Sequence, residues 1–284
     1  MKIDLQYSKL YQNLNNIKGC VWTPFFNAHF FGKICSGKEV GSMKEFILIT
    51  GASGGIGSQI AKTLATSGYS LYLHYNRNKE SINQLLGELQ KMNPEGEFIP
   101  IQADLNTKSG ITLLCQQIYH LNGIVHNCGI SNTNLLTSMQ TEEIESLIQI
   151  HLTAPILITK QLLPKLIQNR NGSIIFISSI WGQTGAACET VYSAVKGGQI
   201  AFAKALSKEV SSSKVRVNVV SPGAIQTPML SEYNEDEISE LISEIPLGRL
   251  GTSTDVANAV EYLLSEKASY ITGHVLNVNG GWYI

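Results

Sequence analysis

Between residues 46 and 64 an apolar run, Phe46-Ile47-Leu48-Ile49, opens into Thr50-Gly51-Ala52-Ser53-Gly54-Gly55-Ile56-Gly57 and then into apolar residues at helical spacing, Ile60, Ala61 and Leu64. A buried strand, a glycine-rich turn and a helix in immediate succession leave few folds open. Gly51, Gly55 and Gly57 let backbone N–H groups, with those of Ser53 and Ile56, come close to a pyrophosphate. The helix N-terminus behind them favours its charge. A tight turn that holds nothing is the competing reading, and the flanking strand and helix favour a dinucleotide.

The pattern then repeats as strand and helix. Ser70–Tyr75 reads as a second strand, followed by Asn76-Arg77-Asn78-Lys79. A site for NAD carries a carboxylate near this strand end, and a site for NADP a cation. The first acid is Glu80, so Arg77 beside Asn76 favours NADPH/NADP+, against a simple solvated arginine. Phe98–Ile101 leads to Asp104 and Leu105, where the Asp104 carboxylate suits an adenine amino group. Gly123–His126 leads to Asn127-Cys128-Gly129, and a helix with Ile144, Leu147, Ile148 and Leu152 follows. Later strands are Ile174–Ile177, Val215–Val220 before Ser221-Pro222-Gly223, and His274–Val278 before Gly280-Gly281. About seven strands alternating with helices predict an α/β fold: one Rossmann-type doubly wound domain with a seven-stranded parallel sheet, spanning 43–284.

Composition narrows the partners. The 284 residues are 43% hydrophobic with net charge −1, so neither nucleic acid nor an anionic membrane is expected as a partner. No apolar run approaches the ~18 residues of a membrane span. Five cysteines lack zinc-like spacing, which points to reduced thiols, no metal and a cytoplasmic setting.

Residues 1–42 differ from the rest, being rich in Asn, Lys and aromatics without periodicity. Pro24, Asn27 and His29 interrupt the only candidate signal-peptide core. Two accounts remain: an amphipathic docking arm, or an untranslated leader read as protein. The second is favoured, because Lys38-Glu39-Val40 back-translates to a ribosome-binding sequence just ahead of Met43.

Chemistry is concentrated between Ser179 and Lys196. Tyr192 and Lys196 are four apart, so a helix puts both on one face. A lysine cation one turn away lowers a phenol that ordinarily titrates near ~10, making it a usable general acid. Ser179 closes the Ile174–Ile177 strand, at the carboxyl end where open α/β sheets bind ligands. Tyr-x-x-x-Lys alone usually means a solvated helix face. Its company decides the matter.

Taken in order, Thr50-Gly-x-x-x-Gly-x-Gly57, Asn127-Cys-Gly129, Ser179, Tyr192-x-x-x-Lys196, Pro222-Gly223 with Thr227, and Gly280-Gly281 resemble the short-chain dehydrogenase/reductase family over nearly all of 43–284. The resemblance implies that Tyr192 protonates a substrate carbonyl while NADPH delivers hydride. Ser179 would hydrogen-bond the carbonyl oxygen, and Lys196 would lower the phenol's pKa and bind the nicotinamide ribose. Ile225 and Thr227 would hold the carboxamide and phosphates, Asn127 would lie near the adenosine ribose, and the assembly would be a homodimer or homotetramer. Two departures stand out. His151 occupies the place of the family's fourth catalytic residue, an Asn 28 residues before the Ser. A neutral imidazole can hold a water by donating and accepting, so a modified proton relay is expected, with a structural histidine as the alternative. Gly54 stands where many NADP-dependent members carry a cation, leaving Arg77 and Ser53 to compensate.

For the substrate, the general resemblance is to 3-oxoacyl-(acyl carrier protein) reductases. A closer one, in His74-Tyr75-Asn76, His151 and Trp181-Gly182-x-Thr-Gly-Ala-x-Cys-Glu189-x-x-Tyr192, is to elongation factor P 5-aminopentanone reductases. That group is implied to reduce a ketone on a lysine of the translation factor. Residues 228–246 contain Glu232, Glu235, Asp236, Glu237, Glu240 and Glu244 with no Lys or Arg, a lid that repels acidic carrier protein and attracts an ammonium. An ordinary solvated helix face is the equal alternative. Glu189 and Trp181 are the candidate substrate residues. Elongation factor P ranks first as partner, acyl carrier protein second, and a catalytically silent dinucleotide-binding regulator third.

Overall fold

The strand-forming residues are those that tolerate burial on both faces. In the computed structural model, which describes residues 44–227 and 234–284, β1 (Phe46–Ile49), β2 (Ser70–Tyr75), β4 (Gly123–His126) and β5 (Gly172–Ile177) are buried at every position. With β3 (Phe98–Gln102), β6 (Val215–Pro222) and β9 (Val275–Val278) they form a seven-stranded sheet in the order β3-β2-β1-β4-β5-β6-β9. Every pairing in it is parallel. Two two-residue strands, β7 (Ile225–Gln226) and β8 (Gly251–Thr252), pair separately.

Alternation of side chains across the sheet makes two cores. Leu48, Ile124, Ile174, Phe176 and Val217 face one side. They pack under α3 (Lys108–Gln116), α5 (Ala154–Asn169) and α7 (Thr190–Val210), through residues such as Ile111, Ile158 and Ala203. Ile47, Ile49, Leu73, Val125 and Ile175 face the other, under α1 (Gly55–Thr66), α2 (Lys79–Met92) and α9 (Ser253–Leu264). Met43–Ile284 is one compact unit. The expectations for residues 1–42, and the lid residue Glu232, lie outside the described residues.

The chain winds outward from β1 to β3, then crosses back to β4. The crevice beyond the carboxyl ends of β1 and β4 is therefore the switch point where such sheets take ligands. Among the described residues no helix is long and apolar enough to cross a membrane.

Candidate active site

The glycine-rich turn is held from behind by hydrogen bonds from Thr50, Asn127 and His74. Gly51 sits at φ +69°, and a Cβ at Gly57 would collide with the Gly51 carbonyl oxygen. Thr50 Oγ1 accepts from the N–H groups of Asn127 (3.0 Å) and Cys128 (3.1 Å), and the Asn127 amide donates to the carbonyls of Thr50 (3.1 Å) and Gly51 (3.2 Å). Asn127, expected beside the ribose, thus uses its amide to shape the turn. His74 does the same from β2: Nδ1 accepts from Gly51 N–H at 3.1 Å, and Nε2 donates to the Ala103 carbonyl at 3.0 Å. Those two bonds fix its tautomer, and burial, opposed by the Ala103 bond and the Asp104 charge, lowers its pKa to about 4.

The turn's front is open. Gly54 caps α1 without any side chain, and no acid occupies the first turn, whereas Asn78, Thr107 and Thr252 cap α2, α3 and α9 with their side chains. Helix N-terminal N–H groups left free in this way suit a pyrophosphate. Toward the adenosine end, Asn76 donates to Asp104 at 3.4 Å, and Asn106 N–H donates to the same oxygen at 3.0 Å. Leu105 is buried, its carbonyl taken by Gln149. Arg77 is exposed and outside the ion pairs Lys44–Glu97, Lys62–Glu88 and Arg249–Asp255. Pro222 ends β6, Gly223 N–H donates to the Val278 carbonyl at 3.0 Å, and Thr227 follows β7. These residues fit a nicotinamide dinucleotide.

The reacting half lies beyond β5. Ser178 Oγ donates to the Lys196 carbonyl at 3.0 Å, clamping α7 to that strand end. Ser179 follows, buried, its hydroxyl accepting from Trp181 N–H at 3.2 Å at the start of α6 (Trp181–Thr184). Lys196 is buried, with Nζ donating to the Ile177 carbonyl at 2.8 Å and lying 5.4 Å from the Tyr192 ring centroid. Burial lowers its pKa to about 7. Tyr192 departs from the sequence expectation. Burial and then the Glu189 charge push its pKa above the ordinary phenol value, and only the hydrogen bond to Ser179 works the other way. Lys196 is not among the groups that lower it: burial weakens the lysine's own charged form, and its ammonium turns to the Ile177 carbonyl.

His151 sits in a single π turn, Gln149–Thr153, between α4 (Thr141–Ile148) and α5. Its ring meets Tyr192 edge-on, 5.3 Å between centroids. Nε2 lies 2.7 Å from the Ile130 carbonyl and 3.1 Å from Ile130 N–H, so that nitrogen is committed to one backbone residue in either tautomer. Nδ1 is buried without a protein partner. Burial first, then the Lys196 charge, lowers its pKa to about 3. The expected two-sided water holder therefore has one nitrogen to offer. A Cβ on Gly129 would come 2.6 Å from its Cε1, so the cofactor-loop glycine also makes room for the ring.

Glu189 precedes α7, with Oε1 accepting from the Thr133 hydroxyl at 3.3 Å and Oε2 buried without a partner. Burial raises its pKa. Trp181 packs edge-on against Trp282 at 5.2 Å, and Trp282 Nε1 donates to Glu244 at 3.2 Å, tying the chain's last residues to α8 (Glu235–Glu244). Glu237 forms a capping box with Asn234 at that helix's start. Two of the acids expected to form a lid, Glu237 and Glu244, thus have structural duties. Motif reading missed His74 as a brace, Thr133, and buried Gln199, whose amide donates to the His151 carbonyl at 2.6 Å. For His74 the available signal was a histidine, on one face with Ser70 and Tyr72, in a strand without a charged residue.

The comparisons with known proteins agree with this geometry. Residues 51–283 match the family model described as enoyl-(acyl carrier protein) reductase. An uncharacterized oxidoreductase, YmfI, of Bacillus subtilis is 45% identical over 242 residues, covering 85% of this chain and 100% of that protein. The 3-oxoacyl-[acyl-carrier-protein] reductase FabG of Escherichia coli is 35% identical, covering 84% and 96%. A crystal structure of a short-chain dehydrogenase/reductase from Brucella melitensis superposes with TM-score 0.76 at 31% identity, covering 84% of this chain and 97% of that one.

Proposed function

This chain belongs to the short-chain dehydrogenase/reductase family, and from that premise we propose that it reduces a ketone with NADPH, the favoured substrate being the 5-aminopentanone group on a lysine of elongation factor P. When bound, NADPH supplies the hydride. Tyr192 gives its hydroxyl proton to the carbonyl oxygen, which Ser179 holds by a hydrogen bond. Lys196, with a pKa brought near neutrality by burial, reprotonates the phenol side of the site at little cost. His151 offers its unpartnered Nδ1 to the proton path. Arg77, exposed at the end of β2, is the cation available for a 2′-phosphate, with Ile225 and Thr227 at the nicotinamide end. The protein works in the cytoplasm as a homodimer or homotetramer.

The observation that carries the substrate choice is the partnerless carboxylate oxygen of Glu189 three residues before the catalytic tyrosine. A half-buried carboxylate with one buried, unpartnered oxygen suits an ammonium better than a neutral acyl chain. Intact-mass analysis of elongation factor P from cells lacking this protein should show a persisting ketone; a fully reduced factor would refute the assignment. The second reading, a 3-oxoacyl thioester on acyl carrier protein, is favoured by the 35% identity to the Escherichia coli enzyme. Fast NADPH oxidation with acetoacetyl thioesters would support it.

A further inference from the structure

Among the described residues, Glu189 Oε2 is the one carboxylate oxygen buried without a protein partner. The backbone around it is fixed on both sides. Cys188 holds a left-handed conformation at φ +61°, its carbonyl accepting from Asn134 N–H at 2.8 Å, and the Glu189 carbonyl accepts from Ser193 N–H at 2.8 Å in the first turn of α7. Thr133 takes only Oε1. A carboxylate gripped from one side and left bare on the other costs stability, and strained backbone of this kind clusters where ligands are held.

The charged and titratable groups facing Tyr192 are few. Lys196 lies across the ring but bonds the Ile177 carbonyl. His151 meets the ring edge-on and is neutral, as is Cys128 beyond it, whose thiol burial pushes up to about 11. Glu189 is the anion that acts on the phenol, and no cation in the described residues pairs with it.

We propose that Glu189 determines specificity in this site: its free oxygen receives a cationic hydrogen-bond donor of the substrate, and the neutralised carboxylate then stops opposing proton release from Tyr192. A substrate carrying an ammonium would thereby sharpen the acid that serves it, while a neutral ketone meets a phenol held back by an adjacent negative charge. This rests on the ketone-reductase reading of the site, but not on which macromolecule carries the ketone.

The test measures NADPH oxidation by the full chain with aminoacetone and with its neutral N-acetyl derivative, across pH. The wild type should prefer the cation by about tenfold or more in kcat/KM, about 1.4 kcal/mol. Glu189→Gln should bring the ratio close to one. On the neutral ketone it should also move the high-pH loss of rate to lower pH, since removing a negative charge lowers the tyrosine's pKa. Thr133→Val, which keeps the charge but frees the side chain, should shrink the preference and leave that limb in place. Reduction of both ketones, with the ratio and the limb unmoved by Glu189→Gln, would overturn this inference while sparing the reductase assignment. No reduction of either ketone by wild type that binds NADPH would overturn both.

Discussion

The two halves of the crevice treat their polar atoms in opposite ways. Around the glycine-rich turn, Thr50 and His74 are saturated, both histidine nitrogens and both roles of the threonine hydroxyl serving the backbone, and Asn127 commits its amide N–H groups there. On the side of Tyr192 and His151, His151 Nδ1, Glu189 Oε2 and Gln199 Oε1 have no protein partner, and among the described residues the only other such buried side-chain atom is His126 Nδ1, whose ring stacks on Phe176. Buried polar groups are rarely left so. A ligand that never changes can be met by a rigid, fully bonded backbone cradle. A reacting group that arrives, changes charge and leaves needs partners held in reserve.

Breaking the reserve half should cost activity and breaking the saturated half should cost stability. Tyr192→Phe removes the proposed proton donor and should lower kcat by about 10³-fold, or about 4 kcal/mol of barrier, with NADPH affinity, read by cofactor fluorescence, far less affected. His74→Leu should do the reverse. It strands the Gly51 N–H and the Ala103 carbonyl, costing about 2–4 kcal/mol by chemical denaturation, with weaker NADPH binding and a smaller change in the chemical step. A pH series sharpens the contrast. His74, His126 and His151 are lowered to about 4, 3 and 3, chiefly by burial. The unfolded chain, with histidines near ~6.5, takes up protons first as pH falls. Stability should therefore be full above about 6.5 and decline from there toward the folded values, with His74→Leu showing a shallower decline. His151→Asn, restoring the residue usual in the family, should have the smallest effect, changing kcat less than about tenfold and leaving the denaturation midpoint nearly in place.

Much of this was legible in the residues because parallel strands buried on both faces leave continuous apolar runs. Ser70–Tyr75 and Gly123–His126 match the strands to the residue. Differences fall at ends: β6 continues to Pro222, and β9 begins at Val275 rather than His274. Tyr192 and Lys196 face each other as their spacing implied, since position on a helix is a local property, whereas Ser179 reaches Tyr192 from the end of β5. Their electrostatics did not follow from spacing. Whether Lys196 lowers the phenol depends on burial and on the Ile177 carbonyl, which are tertiary facts. His74 was legible only as one residue of a likeness, because its bridge joins Gly51 to Ala103. The Trp181–Trp282 contact likewise joins residues about a hundred positions apart.

The π turn at Gln149–Thr153 has a further consequence. It is a one-residue surplus in an otherwise continuous helical rod, and each residue of an α-helix advances about 100° around the axis. Excising a single residue there would let the rod rewind smoothly, satisfying its own ladder better than before. His151 would then swing off the tyrosine's edge and out of reach of Ile130, so the smoother backbone would come at the expense of the catalyst.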